Sequence, residues 1–473
     1  MTALPRCDEI PEPRLVVLVH AARAGTKLFQ SFIDGHPEIL MVPGYPLMYL
    51  YPHWDLWQRQ YGAALTWPQL IDLFCEKHAS VIDSRAVRGL SGLDRLGAGD
   101  EALVIDGDTF RRQLAALLEG LPIRRRTFFL AVHYAYGVCT GRDPRTQAVL
   151  FFHAHHPPYV EDLAKDFPDL RVIDMVRLPV ASLPSTARAL AMVDEQKLNA
   201  TDAAIVSTRA FRLANMLEFD ELHRLAAWVP GEHVVAVRLE DVHADLEGTM
   251  RRIAAWMGVG FDPCMLDSTF GGKRWLGDVT NVTPVSGPDP NAMSDKWRKA
   301  LDPLDQYVIE GACHRFYATY GYEQERYRAD TPFQRLKLRL AALLPMGPER
   351  RALARLLAPA AHGAFLRAAY AEACGNPARK DYTWNGTYLF KWTYVDLELW
   401  RPGLHDRVLA AGLPAPIAAS LYTAIQYLRY WGAILTMPVE ILRRRRLQLG
   451  RLDRRCHAAD FLPQPLAAMT SGD

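Results

Sequence analysis

The sequence predicts an α/β protein: a central, mostly parallel sheet flanked by helices, with an added helical C-terminal region. Three observations support this fold class. Short runs rich in Val, Ile and Phe recur through the first 240 residues and are typical of buried strands. Helical stretches lie between several of them, and strands that alternate with helices form parallel sheets covered on both faces. Beyond residue 330 only helical periodicities remain.

The predicted elements follow one another in that alternating order. The strands are RLVVLVH (14–20), LVID (103–106), AVLFFH (148–153), RVIDMV (171–176) and HVVAVRL (233–239). The helices that lie between or beside them include 27–34, 109–121 and 158–167. The first strand, its tight loop and its helix form the first strand-loop-helix unit of the predicted sheet.

The change of pattern near residue 330 predicts the domain organisation. Residues 1–13 form a tail, 14–329 the sheet domain, and 330–473 a basic helical extension. The extension carries 20 Lys and Arg against 11 Asp and Glu, a net charge of +9, which leaves −7 for the preceding residues because the total is +2. Basic character is therefore concentrated in the extension.

Cysteine usage and the N-terminal sequence predict the compartment. The seven cysteines are scattered singly, without CxxC pairs or metal-type spacing, which favours a reducing, cytoplasmic environment. MTALPRCDEIPEPR has charges and prolines where a signal peptide has an apolar core. No run reaches 18 uninterrupted apolar residues. We therefore expect a cytoplasmic protein, peripheral at the inner membrane face if it contacts lipid.

The loop after the first strand has the features of an anion site. It offers a small residue and a glycine at a helix N-terminus, where backbone N–H groups and the helix dipole favour a phosphate. Two cations could neutralise a bound anion. The candidate residues are Arg23, Ala24, Gly25, Thr26 and Lys27. The GxxxxGK[ST] spacing of a Mg-dependent NTPase is absent, and a tight turn with solvated cations is the alternative.

A second candidate motif follows the RVIDMV strand. Arg177 stands at the carboxyl end of that strand, where ligands gather in open α/β sheets, and Ser185 follows eight residues later. The alternative for Arg177 is a capping or salt-bridging role.

Together these motifs resemble the PAPS-dependent sulfotransferase family, where PAPS is 3′-phosphoadenosine-5′-phosphosulfate. Members carry R-[ST]-G-T or K-S-G-T after the first strand, and later an Arg with a Ser eight residues on; this chain has Arg-Ala-Gly-Thr at 23–26. The resemblance implies a P-loop-like fold that binds PAPS without a metal. It assigns the 5′-phosphosulfate to Arg23, Gly25, Thr26 and Lys27, and the 3′-phosphate to Arg177 and Ser185.

Later stretches extend the resemblance over residues 14–323. HVVAVRLEDVHADLEGTMRRIAAWMGV is similar to the family's strand and following helix, and HRFYATYGYE to its Gly-Tyr end. SDKWRKAL is similar to the element that folds over the 3′-phosphate, which implies that role for Trp297 and Arg298. Leu178 replaces the usual Asp or Asn, and Pro184 precedes the serine, so these two positions depart from the pattern.

The strand AVLFFH runs into a histidine cluster that offers a catalytic base. Histidine titrates near neutral pH and suits proton removal from an acceptor hydroxyl. Aligning the family's K-[ST]-H-x-P element on Pro157 indicates His155 as the base, with His156 a close rival and His153 a weaker one. Arg23 and Lys27 would neutralise the charge on the transferred group. The alternatives are a purely structural cluster and a metal site, for which no further ligand set is evident.

The C-terminal extension contains an apolar segment followed by a basic cluster. Residues 417–442 are largely apolar, and Arg443 to Arg446 follow directly. Such a helix can dock on an anionic membrane surface or hold a polyanion. It could equally pack on the catalytic domain or join two subunits of a homodimer. No nucleic-acid-binding module accompanies the cluster, so no nucleic-acid partner is expected.

These observations predict an enzyme that transfers a sulfuryl group from PAPS to a hydroxyl or amine. We expect the acceptor to be a small molecule or glycan, with carbohydrate or glycolipid hydroxyls favoured, and PAP, the desulfated donor, as product. Two alternatives remain: a P-loop-type nucleotide phosphotransferase, and a non-catalytic module that binds a nucleotide or a polyanion.

Overall fold

The chain divides into two compact units in the computed structural model. The first comprises residues 1–177, 221–294 and 461–473, and the second comprises 178–220 and 295–460. Residues 295–329 thus group with the C-terminal helices, and the boundary expected at 330 stays a prediction. The structure describes residues 5–20, 23–86, 92–155, 159–185, 225, 228–277, 287–289, 295–299, 301–344, 347, 350, 354, 357–375, 408, 411–455 and 464–466.

A parallel sheet forms the centre of the first unit. The strands of the described residues are β1 (Arg14–His20), β2 (Ile39–Met41), β3 (Val149–His155), β4 (Arg171–Val176), β5 (Val234–Arg238), the short pair β6 (Thr269–Phe270) and β7 (Lys273–Arg274), and β8 (Gln464–Pro465). The main sheet has the order β2-β3-β1-β4-β5-β8, and every neighbouring pair in it is parallel. The predicted fold class is therefore confirmed.

Helices cover both faces of this sheet. Those of the first unit are α1 (Thr26–Ser31), α2 (Leu50–Tyr61), α3 (Trp67–Lys77), α4 (Ala79–Ile82), α5 (Gly107–Leu118), α6 (Arg125–Cys139), α7 (Val160–Asp166), α8 (Leu239–Ala244) and α9 (Leu246–Met257). On one face, α1 and α9 join Val16, Phe151 and Ile173 in a single core cluster. On the other face, Phe129 of α6 meets Phe152 edge-on at 5.1 Å between ring centroids. Strands buried on both faces explain the continuous apolar runs in the sequence.

The sheet differs from the sequence prediction at three places. LVID at 103–106 was predicted as a strand, which is wrong: Val104 makes only an isolated bridge with Asp83 and is 54% exposed. The three-residue β2 escaped prediction because it is too short to show a pattern. Beyond residue 330 the chain was expected to be helical throughout, yet β8 adds an edge strand that pairs with β5.

The second unit is helical in its described part beyond residue 300. Its helices are α10 (Pro303–Ala312), α11 (His314–Tyr320), α12 (Pro332–Ala341), α13 (Pro359–Gly375) and α14 (Ala415–Arg455). The Asp302 side chain caps α10 by accepting from the Asp305 N–H, and Pro303 occupies the first turn. Leu338 of α12 packs on Tyr307 and Tyr327. The helical character predicted for this region is confirmed.

Candidate active site

The strand order places the segments that follow β1, β3 and β4 side by side at one edge of the first unit's sheet, where the carboxyl ends of the strands lie. β1 lies between β3 and β4, and all three run in the same direction. His20, His155 and Arg177 therefore lie at or just beyond neighbouring carboxyl ends, the position where open α/β sheets bind ligands. A register shift between Leu18 and Val19, opposite His153 and His155, disrupts the β1–β3 ladder next to this edge.

The loop after β1 has a backbone that only particular residues tolerate. Gly25 caps α1 with φ +82°, and a Cβ added there would lie 2.4 Å from Cδ1 of Leu239, at the start of α8. Both its conformation and its space therefore require glycine. Within the described ranges, the non-glycine residues with positive φ are Arg23 (+46°) and His155 (+70°). Both belong to this site, and such backbone strain is concentrated at functional sites.

Arg177 connects the end of β4 with that loop. Its Nη1 donates to the backbone carbonyl of Arg23 at 3.4 Å, a long contact that nonetheless brings the two predicted arginines together. His243 of α8 lies nearby, and burial, followed by the positive charge of Arg177, lowers its pKa below the usual value. The N–H of Asp289 donates to Nδ1 of His243 at 2.9 Å, which assigns that nitrogen as an acceptor.

A cluster of imidazole rings lies beside the loop after β1, which is called the donor loop here because Arg23 to Lys27 are predicted to hold the sulfuryl donor. Nε2 of His20 is 3.2 Å from both ring nitrogens of His155, and the rings cross at 77° with centroids 4.2 Å apart. Because Nε2 of His20 is equally far from both His155 nitrogens and the two rings are steeply inclined, the edge of His20 faces the His155 ring. It is not directed at the lone pair of one nitrogen. Nδ1 of His155 is 3.3 Å from Nε2 of His153. His155 thus contacts both of the other histidines.

Gln30 of α1 determines the proton positions in this cluster. Its amide is held in one orientation, because Oε1 accepts from the Gly44 N–H at 3.1 Å and Nε2 donates to the Gly44 carbonyl at 3.0 Å. Nδ1 of His153 is 3.4 Å from the same Oε1 and must donate to it. Nε2 of His153 then accepts from Nδ1 of His155. With both rings neutral, these contacts favour the His155 tautomer that has its lone pair on Nε2, which lies 3.2 Å from Nε2 of His20.

Tyr45 bridges the donor loop and the histidines. Its ring stacks on His155 at 4.4 Å and 21°, and the Lys27 ammonium lies over the same ring, 5.2 Å from its centroid. Lys27 is largely buried. The cation of the donor loop and the candidate base therefore lie against one aromatic side chain, which fixes both relative to the sheet.

An ionisable group is also buried within the sheet near this edge. Asp174 on β4 pairs in register with Val19 and Ala236, and its side chain is completely buried. Neither carboxylate oxygen has a hydrogen-bond partner among the described residues. Burial raises its pKa well above the usual value. In the described ranges no three His, Cys, Asp or Glu side chains are grouped as they would be to hold a metal.

The predicted site residues fall into three groups. Arg23, Ala24, Gly25, Thr26, Lys27, His153, His155 and Arg177 belong to the first unit and surround the edge described above. His156 lies outside the described residues. Ser185, Trp297 and Arg298 belong to the second unit.

In the second unit, Arg298 lies 4.5 Å over the Trp297 ring and donates to Glu325, with Nη1 to Oε2 at 2.7 Å. Asp295 is a further partner at 3.3 Å. These contacts raise the pKa of Arg298. The roles expected for Ser185, Trp297 and Arg298 toward the 3′-phosphate stay predictions.

Sequence reasoning missed His20, Gln30, Tyr45 and His243. A weak signal existed for His20, which is the last residue of a predicted strand whose carboxyl end was expected to carry the site. Tyr45 follows β2, which was not predicted, so no pattern pointed to it. Gln30 and His243 lie on helices, where a single polar residue carries no functional signal.

Comparison with known proteins identifies the family. The model described as "Sulfotransferase family" matches residues 15–263. Among solved structures, the sulfotransferase domain of the Synechococcus PCC 7002 olefin synthase is 17% identical, with a TM-score of 0.37, and the match covers 67% of this chain and 97% of that one. The sulfotransferase domain of the curacin biosynthetic pathway is 16% identical, with a TM-score of 0.39, and the match covers 66% of this chain and 99% of that one. No curated protein matches the chain.

Proposed function

The chain belongs to the sulfotransferase family, and from this premise we propose that it transfers a sulfuryl group from PAPS to an acceptor hydroxyl or amine. The observation that carries the proposal is the contact between Arg177 and the Arg23 carbonyl. It joins two motifs that are 154 residues apart in the chain at one edge of the sheet.

The residues at this edge suit a nucleotide with several anionic groups. The missing side chain of Gly25 leaves the loop backbone open, and Arg23, Lys27 and Arg177 supply positive charge. Bidentate arginine and compact lysine are the side chains that proteins use for phosphate and sulfate. PAPS, when bound, would supply an activated sulfuryl group, and no metal is required in the proposal.

Arg23 and Lys27 neutralise charge on the group being transferred. Charge spreads over the peripheral oxygens during such a transfer, and fixed cations stabilise that charge without reorganisation. Lys27 is suited to this because its ammonium is largely buried and held over the Tyr45 ring. Arg177 orients the loop by donating to the Arg23 carbonyl and binds the 3′-phosphate.

His155 removes the proton from the acceptor. The Gln30–His153–His155 chain favours the tautomer with its lone pair on Nε2, which is the state a general base requires. The Tyr45 stack holds the ring in place. His156 is retained as the rival base. The acceptor is proposed to be a carbohydrate or glycolipid hydroxyl, a choice supported by the family resemblance and by the basic, apolar C-terminal helices.

The donor site is tested first by calorimetric titration with PAP in EDTA, beside ATP with and without Mg²⁺. We expect PAP to bind without metal and more tightly than ATP. Arg177→Ala should weaken PAP binding by about 2 kcal/mol, roughly thirtyfold, because it removes a charged hydrogen bond. Arg145→Ala is the matched control, because Arg145 pairs with Asp143 on the surface. Absent PAP binding, or tight Mg-dependent ATP binding, would refute the proposal.

The base is tested by sulfuryl transfer from PAPS to a panel of glycans and glycolipids. His155→Ala should lower the rate at least about a hundredfold while leaving PAP affinity unchanged, since the base contacts the acceptor rather than the donor. His156→Ala should have a small effect. Unchanged transfer in His155→Ala would reject this base. PAP binding without transfer to any acceptor would favour the non-catalytic module.

A further inference from the structure

Helix α12 carries an apolar stripe that faces solvent. Its inner face uses Leu338 and Ala341 to pack on the second unit's core. On the outside, Phe333 is 72% and Leu340 is 59% exposed. The large apolar side chains on this outer face of α12, Phe333, Leu336 and Leu340, are all exposed, and Leu343 and Leu344 are exposed in the turn that follows the helix. Since successive residues turn by about 100° along a helix, the three helical side chains span an arc of about 60°.

Cations border this stripe on both sides. On the helical wheel of α12, Lys337 lies beyond one edge and Arg339 beyond the other, and both residues are exposed. The Lys337 ammonium lies 4.9 Å from the centroid of the Tyr307 ring. Arg335 is held at the inner side by Asp330, at 2.8 Å. The segment Pro332–Ala341 contains no acidic residue. An apolar stripe of Phe and Leu bordered by Lys and Arg is typical of a helix that lies in the plane of a membrane interface.

We propose that α12 docks this protein on an anionic lipid surface, with Phe333, Leu336 and Leu340 in the acyl boundary and Lys337 and Arg339 at the headgroups. The charges favour this occupant over a second copy of the chain. Two copies meeting through this face would bring together two helices that carry Lys337 and Arg339 and contain no acidic residue. Anionic headgroups complement the same cations.

This surface differs from the one expected from the sequence, which was the apolar segment of α14 with Arg443 to Arg446. α14 also exposes apolar side chains, including Leu428 and Leu435. The side chains of Arg443 to Arg446 lie outside the described residues, so the charge pattern around α14 is not defined. None of the described helices has the length and apolarity to cross a bilayer. Docking through α12 requires neither, because the helix lies flat.

The test is co-sedimentation of the full-length protein with vesicles of phosphatidylcholine, with or without phosphatidylglycerol. We expect binding to the anionic vesicles that weakens with salt. Phe333→Glu/Leu340→Glu should weaken it at least about tenfold, since two inserted side chains become charged. Lys337→Glu/Arg339→Glu should weaken it severalfold or more. Val104→Glu, at a 54% exposed site in the first unit, should bind like the unmodified chain.

The substituted side chains are exposed, so circular dichroism of the variants should be unchanged. Absence of binding to anionic vesicles would overturn the proposal, as would binding that Phe333→Glu/Leu340→Glu leaves intact. Light scattering tests the rival occupant, a second copy of the chain. The docking proposal would also be overturned if the unmodified protein were a dimer that Phe333→Glu/Leu340→Glu converts to a monomer, and neither form bound vesicles. None of these measurements depends on sulfuryl transfer or on PAP binding.

Discussion

The sheet edge of the first unit and the helices of the second unit use polar and apolar side chains in opposite ways. At the sheet edge, Lys27, Gln30 and His153 are buried; Gln30 contacts His153, and Lys27 lies over the Tyr45 ring. In the second unit, apolar side chains such as Phe333 and Leu428 face solvent, whereas Arg298 forms an ion pair at the surface.

Substitutions in the two regions should therefore have different consequences. A buried polar group that loses its partner costs the full desolvation of that group, whereas an exposed pair is replaced by water. Substitutions at the sheet edge should therefore alter stability and function together. In the second unit, substitutions at the surface should change binding with little effect on folding.

The largest effect is expected for Gly25→Ala. It combines a left-handed backbone, which costs about 1 kcal/mol or more in alanine, with a 2.4 Å approach to the buried Leu239. We expect a loss of about 2–3 kcal/mol in the free energy of unfolding, and no measurable PAP binding. Gly141→Ala is the control, since its φ is +79° but no atom lies within 4 Å of the added Cβ. If urea unfolding showed the same loss of unfolding free energy in both variants, the close approach of Leu239 would not be what requires glycine at position 25.

The next effect concerns Gln30→Glu, which places a buried carboxylate beside His153. A negative charge stabilises a protonated imidazole, so the acid limb of the kcat/KM profile should shift up by about one pH unit. PAP affinity should stay unchanged, which separates this effect from damage to the donor site. Gln147→Glu is the control, because Gln147 is also buried but bonds to the carbonyls of Pro37 and Asp143. A pH profile that Gln30→Glu leaves in place would exclude Gln30 from positioning the base.

Asp174→Asn should raise stability. Because burial raises the pKa of Asp174 in the folded state, the folded protein holds this proton more tightly than the unfolded chain. The contribution of Asp174 to the free energy of unfolding is therefore fully present below the unfolded pKa near 3.8 and declines as pH rises toward the folded pKa. Asparagine cannot ionise, so we expect the free energy of unfolding to rise by about 1 kcal/mol at pH 8 and by less at pH 5. Thermal unfolding at the two pH values measures this difference.

The control for that prediction is Asp106→Asn. Asp106 caps α5 by accepting from the Thr109 N–H at 2.7 Å, and asparagine caps equally well. No gain is expected there. A pH-independent loss of stability in Asp174→Asn would show that the carboxyl group has a stabilising role.

The smallest effect is expected in the second unit, for Glu325→Gln. The hydrogen bond from Arg298 lowers the pKa of Glu325 to about 2. The pair therefore stabilises the fold above the usual value near 4.5 and loses that contribution as pH falls through 2. Because both side chains are partly exposed, we expect a loss of only about 0.5 kcal/mol at pH 7, reduced by salt. A loss several times larger would show that this surface pair is as critical as the buried contacts.

Much of the fold was predictable because long strands buried on both faces leave a direct pattern. β1 and β4 have the predicted bounds, and β3 and β5 agree within two residues. β2 and β8 have three and two residues and therefore no periodicity. The isolated bridge at Val104 resembles a strand in sequence because LVID is apolar, although Val104 itself is exposed.

The strand-loop-helix that begins with β1 and the position of Arg177 after a strand could be read from the sequence alone, whereas the roles of the loop residues stay predictions. Local patterns suffice for these elements, because each depends on neighbours within about ten residues of the chain. The placement of β1 between β3 and β4 follows only from the folded structure. That order brings His20 against His155, Arg177 to the Arg23 carbonyl and Tyr45 between Lys27 and His155. Contacts across more than a hundred residues depend on strand pairing and burial, which no single segment of the chain specifies.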